Sequence, residues 1–339
     1  MKTLVTGHQG YLGSVMVPIL TAAGHDVVGF DTGLFQDCVL GVAPTDPPTI
    51  CKDIRDVEPA DLAGFDAVVH LAALSNDPLG ALEPQITHDI NHHASVRLAK
   101  AAKAAGVRRF LYASTCSVYG AAGQDAVKED SEMHPVTPYA ESKVRVESDV
   151  HDLADGDFEP VFLRNATAFG ASPRLRADIV LNNLVGHAIL SGRVLVMSDG
   201  TPWRPLVHAK DIAEAFSRCL TAPREAVHAR AFNVGTEANN ATVAEIAQEA
   251  QRAVPGSVLD ITGETGSDPR SYRVDFSAIR AALPGYDATW SIADGARELA
   301  AAYRSAPLTQ EGFDSDFVRL KVLQRKQQAG LLDAAFRLA

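Results

Sequence analysis

Short apolar runs alternate with longer stretches of helical period through the first half of this chain. Thr3–Thr6, Asp26–Phe30, Ala67–Leu71, Arg109–Ser114 and Pro160–Arg164 read as buried strands, while Tyr11–Ala23, Asp89–Ala105 and Pro138–Leu153 carry the helical period. The alternation predicts an α/β fold, a doubly wound parallel sheet with helices on both faces. From Pro173-Arg-Leu-Arg176 the pattern changes, with Pro/Gly punctuation at Asp199-Gly-Thr-Pro202 and at Gly263–Pro269. The expected organisation is a first domain over 1–170, with segments returning near 204–235, and a smaller interleaved domain over 171–310. Residues 311–339 read as a closing amphipathic helix carrying Phe317, Leu320, Leu323, Leu331 and Leu332.

The first strand runs straight into Gly7-His-Gln-Gly10-Tyr-Leu-Gly13 and then a helix. Glycines permit the tight turn and let backbone amides approach a pyrophosphate, which the helix N-terminus attracts. The spacing is Gly-x-x-Gly-x-x-Gly rather than the commoner Gly-x-Gly-x-x-Gly, but strand, glycines and helix come in the required order. The second strand ends on Asp31. A carboxylate there accepts hydrogen bonds from both adenosine ribose hydroxyls and repels a 2′-phosphate, which selects NAD over NADP. Asp53, after another short strand, is placed to meet the adenine edge. The first domain therefore reads as Rossmann-type.

Further on, Pro138-Tyr-Ala-Glu-Ser-Lys143 places a phenol and an ammonium four residues apart. On a helix both lie on one face. The lysine charge favours the phenolate, lowering the tyrosine from about 10 toward a working range.

Composition narrows the class. The chain has 339 residues, 46% hydrophobic, enough for a large core, and a net charge of −11. No Lys/Arg block is present to hold nucleic acid or an anionic membrane. The N-terminal run is soon broken by Gly7, unlike a signal peptide, and no apolar run has the length to span a bilayer. Cys38, Cys51, Cys116 and Cys219 lie far apart without a Cys-x-x-Cys pair, against a zinc site or a disulfide framework. The expectation is a soluble cytoplasmic protein without a metal site.

These motifs resemble the extended short-chain dehydrogenase/reductase family, in its NAD-dependent epimerase/dehydratase branch acting on nucleotide sugars. In order they are Thr6-Gly-x-x-Gly-x-x-Gly13, Asp31, His70-Leu-Ala-Ala73, Ser114-Thr-Cys-Ser-Val-Tyr-Gly120 and Tyr139-x-x-x-Lys143. Asn182-Asn-Leu184 and Asp199-Gly-Thr-Pro-Trp-Arg204, leading to His208 and Asp211, extend the match to about residue 275. The resemblance implies Tyr139 as catalytic acid/base, Lys143 as its partner on the nicotinamide ribose, and Thr115 as the hydroxyl beside the oxidised carbinol. It implies NAD contacts from Gly7, Gln9, Gly10, Tyr11, Leu12, Gly13 and Asp31, from Asp53 and Ile54, from Leu71, Ala72 and Ala73, and from Ser114. A nucleotide-diphosphate sugar would then meet Ser75, Thr115, Ser117 and Thr167, with Asn183, Arg204 and Arg270 toward its phosphates. Arg174 and Arg176 lie outside the general pattern and would meet a phosphate, a sugar carboxylate or solvent. Family practice implies a homodimer through Asp89–Ala105 and Pro138–Leu153.

Two departures shape the expected reaction. The 4,6-dehydratases and related decarboxylases carry a carboxylate just after the catalytic Thr, where this chain has Cys116 and Ser117. Loss of water without an acid/base pair is hard. The 3,5-epimerases and epimerase/reductases place a cysteine where Ser117 stands; one step away along a strand, Cys116 points to the other face and reads as a small buried thiol. Thr167 stands where many members carry Asn. What remains suffices to oxidise a sugar carbinol and re-reduce the ketone from the other face, so a C4 epimerase through a 4-keto intermediate leads. A 4-ketoreductase consuming NAD(P)H is the alternative, and a non-catalytic NAD-binding scaffold a remote one.

Overall fold

The computed structural model describes residues 1–75, 83–121, 125–263 and 270–338. Its core is a seven-stranded sheet in the order β10-β6-β5-β4-β1-β2-β3. The strands are β1 (Lys2–Thr6), β2 (Asp26–Asp31), β3 (Thr49–Cys51), β4 (Ala67–His70), β5 (Arg109–Thr115), β6 (Glu159–Asn165) and β10 (Arg230–Val234). Every pairing is parallel. Continuous burial of β4, β5 and β6 is what a sheet covered on both faces demands.

Helices α1 (Tyr11–Ala22) and α5 (Ala209–Thr221) pack together over one face, and α2 (Ala94–Ala104) with α3 (Pro138–His151) cover the other. The helix expected from Asp89 begins differently. A short α-helical segment already runs over Pro84–His88, Asp89–His93 is a π-type turn within the same helix, and α2 resumes at Ala94. Inside that turn Asn91 is fully buried, accepting from Leu74 N–H at 2.7 Å and donating to Leu74 C=O at 3.0 Å. Wide π-turns of this kind recur at functional sites.

Beyond β6 the chain builds a second core. Strands β7 (Thr167–Phe169), β9 (Trp203–His208) and β11 (Asn240–Thr242) form a three-stranded sheet, and β8 (Arg193–Val196) pairs in parallel with β12 (Val258–Ile261). Helices α4 (Val180–Ser191), α6 (Val243–Ala253) and α7 (Ile292–Ser305) close around Phe169, Leu181, Leu206, Ile246, Leu299 and Tyr303. The Pro/Gly stretch after Gly263 lies largely outside the described residues. The closing segment is not one helix: α8 (Gln310–Ser315) and α9 (Arg319–Gln328) are separate, and the chain then turns back on itself. Phe313 is buried on one side of the break and Arg319 on the other, which a single straight helix does not provide.

Candidate active site

In this strand order the connections reverse direction between β1 and β4, and open α/β sheets bind ligands outside the strand ends at such a point. A cavity of about 1140 Å³ lies there. It is lined by turn residues Gly7, Gly10, Tyr11, Leu12 and Gly13, by Asp31 at the end of β2, and by Asp53 and Ile54. Leu71, Ala72, Ala73 and Ser75 follow β4 into it, Ser114 and Thr115 end β5 there, and Ser117 lies in the turn that follows. Tyr139, Lys143, Thr167, Asn183, Arg204 and Arg270 complete the lining among the expected residues. Gln9 is the exception. Its amide donates to Asp31 at 3.0 Å, but its side chain turns away to Asp46 at 2.8 Å.

The cradle at β1 is glycine by necessity. Gly7 has φ +72°, and a Cβ there would lie 2.7 Å from Ala72 N; at Gly13 a Cβ would lie 2.4 Å from Gly7 O. No side chain fits either place without moving backbone. Asp31 is held by Gln9 N–H and Gly33 N–H at 3.0 and 2.9 Å, one on each oxygen. Four lone-pair sites on an ionised carboxylate leave acceptors over for ribose hydroxyls. The residues present therefore fit a dinucleotide. Asp53 is more committed: it caps the turn at Arg55 N–H, and the Arg55 guanidinium engages both its oxygens, at 3.0 and 2.6 Å. Tyr11 offers its backbone, since its hydroxyl is spent on Gly170 C=O at 2.8 Å.

Thr137 caps α3 by accepting from Ala140 N–H, and Pro138 follows at the first helical position. This start aims Tyr139 and Lys143 into the cavity from one helix face. Lys143 is buried and donates to Ala113 C=O at 2.7 Å, its ammonium 5.6 Å from the Tyr139 ring centroid and 4.6 Å from that of Tyr112. Burial pulls its pKa down to about 7, against the opposing charge of Glu147 one turn on. Glu147 in turn accepts from Ser114 Oγ and from Arg164, the latter at 2.7 Å, and Arg164 reaches the Tyr119 hydroxyl at 3.0 Å. A buried ionic lattice thus underlies the lysine and locks the ends of β5 and β6.

Thr115 Oγ1 accepts from Ser117 N–H at 3.1 Å, which leaves its own proton to donate. The strand stops there. Cys116–Tyr119 is a tight 3₁₀ turn rather than the strand continuation assumed for Cys116. Its thiol is nonetheless buried, 3.0 Å from Arg164 C=O, with its pKa pushed well up by burial. Ser117 faces the cavity.

Some residues behave unlike their motifs. His208 and Asp211 do not line the cavity. His208 pairs with Glu298 at 2.7 Å and stacks on Trp290 at 4.2 Å, and Asp211 accepts from the amides of Thr289 and Trp290, so both anchor the start of α7. Asn182 is fully buried, bridging Gly170 N–H and Arg176 C=O, while its neighbour Asn183 faces the cavity. Arg174 forms a buried bidentate pair with Asp46 behind the glycine turn. Arg176 enters the cavity, forked onto Asp178 at 3.0 and 3.1 Å and donating to Ser75 Oγ at 3.1 Å. Its choice between site and solvent was open in the sequence; the Asp two residues on was the available signal. Arg319 and Phe336 also line the cavity and carried no motif. Among the described residues no cluster of His, Cys, Asp or Glu could hold a metal ion, and no helix is long and apolar enough to cross a membrane.

The NAD dependent epimerase/dehydratase family model matches residues 3–235. The UDP-glucose 4-epimerase of Mycolicibacterium smegmatis is 32% identical over 272 residues, 76% of this chain and 83% of that protein. A solved structure of MoeE5 in complex with UDP-glucuronic acid and NAD is 27% identical, with a TM-score of 0.78 over 90% of this chain and 99% of that one. A further structure, TunA, an NAD-dependent NDP-hexosamine 5,6-dehydratase, shares the fold with a TM-score of 0.80 at 22% identity, covering 91% of this chain and 99% of that one. With the strand-end cavity, its glycine cradle and the Tyr139–Lys143 pair, these matches make the chain a member of the NAD-dependent epimerase/dehydratase family, an enzyme of the extended short-chain dehydrogenase/reductase type.

Proposed function

We propose that the chain epimerises C4 of a UDP-linked hexose or hexuronate through a transient 4-keto sugar. The observation that carries this reading is the content of the cavity around Thr115. Tyr139, Lys143 and Thr115 converge there with the glycine cradle, and the lining carboxylates among the described residues are Asp31, Asp53 and Asp178. Asp31 stands at the cradle, Asp53 is engaged by Arg55 and Asp178 by Arg176. Beside Thr115, Cys116 is a buried neutral thiol and Ser117 a hydroxyl, so no side chain there has the acidity to expel water. The M. smegmatis relative, a UDP-glucose 4-epimerase, and MoeE5 with its UDP-glucuronic acid support the substrate class.

Bound NAD supplies a reversible hydride acceptor. Gly7, Gly10 and Gly13 would hold its diphosphate and Asp31 its adenosine ribose. Tyr139 takes the proton from the C4 hydroxyl as the carbinol becomes a ketone, and returns it after the sugar has presented its other face. Thr115 donates a hydrogen bond to the same oxygen and steadies charge developing on it. Lys143, fixed by Ala113 C=O, places positive charge beside the phenol. Asn183, Arg204 and Arg270 engage the nucleotide diphosphate, and Arg176 with Ser75 orients the sugar. The proton returns to the oxygen it left, so one acid/base suffices.

The test is a panel of UDP-, GDP-, dTDP- and CDP-sugars offered to purified protein without added cofactor, after the supernatant of denatured protein has been assayed for NAD. Product without external NAD(H) supports the epimerase. Strict dependence on added NAD(P)H would replace it with a ketoreductase. A homodimer through the outer faces of α2 and α3 belongs to the same reading, and sedimentation equilibrium at micromolar concentration checks it.

A further inference from the structure

The chain after α7 lies beyond the residues that the family model matches. After α9 it folds into a small hairpin in which Leu332 bridges Leu338. Asp333 organises it, its carboxylate accepting from the amides of Ala335 and Arg337 at 2.8 Å each. At the tip Phe336 has φ +57°. That is a left-handed conformation costly for an aromatic residue, of the kind that persists where surrounding structure imposes it, often at ligand clamps. Phe336 is only 4% exposed and packs with Leu74, Leu323 and Leu332, with Leu34 and Ile90 at the margin.

The hairpin is latched to the segment expected to meet the adenine. Arg55 donates to Ala335 C=O at 2.7 Å, and Arg337 forks onto Asp56 at 2.6 and 3.2 Å. Lys326 of α9 donates to Leu34 C=O at 2.8 Å, in the loop that follows Asp31. Arg319 opens α9, only 4% exposed, with its guanidinium 4.8 Å from the Phe35 ring. Its Nη2 reaches Arg174 C=O at 3.2 Å, but Nη1 is buried without a hydrogen-bond partner among the described residues. Both Arg319 and Phe336 line the cavity. A buried donor on a charged group is expensive to leave unmatched, and a phosphate oxygen is the partner that suits it.

We propose that Arg319–Leu338 is a strap completing the cofactor end of the cleft, with Arg319 donating to the dinucleotide's diphosphate and Phe336 covering its adenosine. The proposal rests on the reading of this cleft as the dinucleotide site. Burial holds the Arg319 guanidinium down to about 10, so it remains charged at neutral pH. The strap explains how a cofactor recycled within the site would be retained between turnovers.

Calorimetry of cofactor-stripped protein with ADP-ribose, adenosine and UDP tests this. Wild-type affinity for ADP-ribose reports on the cofactor reading itself; the variants report on the strap. Arg319→Met is expected to weaken ADP-ribose about tenfold while leaving adenosine within about twofold, as loss of one charge-assisted bond predicts. Phe336→Ala is expected to weaken ADP-ribose and adenosine alike. Asp56→Asn, which loosens the latch from outside the cavity, should speed NAD loss during dialysis without altering the folded circular dichroism. Unchanged ADP-ribose affinity in the first two variants would overturn the proposal. So would an Arg319→Met variant that loses UDP affinity alone, which would assign the guanidinium to the substrate's diphosphate.

Discussion

Two polar clusters in this protein are built from the same kinds of residue and do opposite things. Around Lys143, a lysine, a tyrosine and a threonine face a cavity, with Glu147 and Arg164 buried behind them. Around His208, a histidine, a glutamate and a lysine face each other, and Trp290 seals them by stacking. Each contains residues of the sequence motifs, Tyr139 and Lys143 in the first and His208 in the second. The difference is where the side chains point: the Glu298 cluster turns inward on itself, away from the cavity, whereas Tyr139, Lys143 and Thr115 line the cavity with the Glu147–Arg164 pair buried behind the lysine. A site is recognised by polar groups that converge on a cavity from supports elsewhere, not by their polarity.

The largest expected effect breaks the first cluster without unfolding it. Tyr139→Phe should lower kcat by about a thousandfold or more, as loss of a general acid/base does, with unchanged circular dichroism. Full activity in that variant would remove Tyr139 from the chemistry. In the second cluster, Glu298→Ala should cost stability instead, about 2 kcal/mol in urea unfolding, because buried His208 loses its hydrogen-bond partner, while Lys210 is half-exposed and loses little. Although burial alone would raise it, hydrogen bonds from His208, Lys210 and the Ala171 amide hold Glu298 down to about 2. Its contribution is therefore present above the ordinary glutamate range and lost as pH falls toward 2. A loss of kcat in the folded fraction of this variant would erase the contrast.

His70, at the end of β4 just before cavity-lining Leu71, offers a smaller test. It bridges Thr6 Oγ1 at 2.7 Å and Ser95 Oγ at 2.8 Å, and burial pulls its pKa to about 3. The unfolded chain then binds a proton that the folded one refuses, so stability falls as pH drops from 6.5 toward 3, by about 2 kcal/mol between pH 6.5 and 5. His70→Gln should flatten that limb in urea titrations at successive pH values. An unchanged slope would mean that other groups set it. The smallest effect sharpens the reaction: Cys116→Ala should leave kcat within about twofold and cost about 1 kcal/mol for the lost sulfur. A large fall in kcat would restore the thiol as a second acid/base and weaken the C4 reading.

Much of this was legible along the chain because the signals are local. The β1–glycine–α1 turn, Asp31 at the end of β2 and the Thr137–Pro138 start of α3 are each set within a few residues. Where long-range contacts compete, local reading failed. The helix expected from Asp89 begins at Pro84 and widens into a π-type turn at Asp89–His93, where buried Asn91 clasps Leu74, and the expected terminal helix breaks so that Phe313 and Arg319 can both be buried.

The parallel sheet, the cradle and the Tyr139–Lys143 face could be read from the chain, since period, glycine spacing and helical register are properties of neighbouring residues. Long-range packing settles that Arg176 enters the cavity while Arg174 is buried behind it, that His208 is a joint between elements, and that the hairpin carrying Phe336 is latched to Arg55 and Asp56. Those outcomes depend on which distant groups satisfy each buried charge, and burial makes an unmatched charge too costly to leave to local preference.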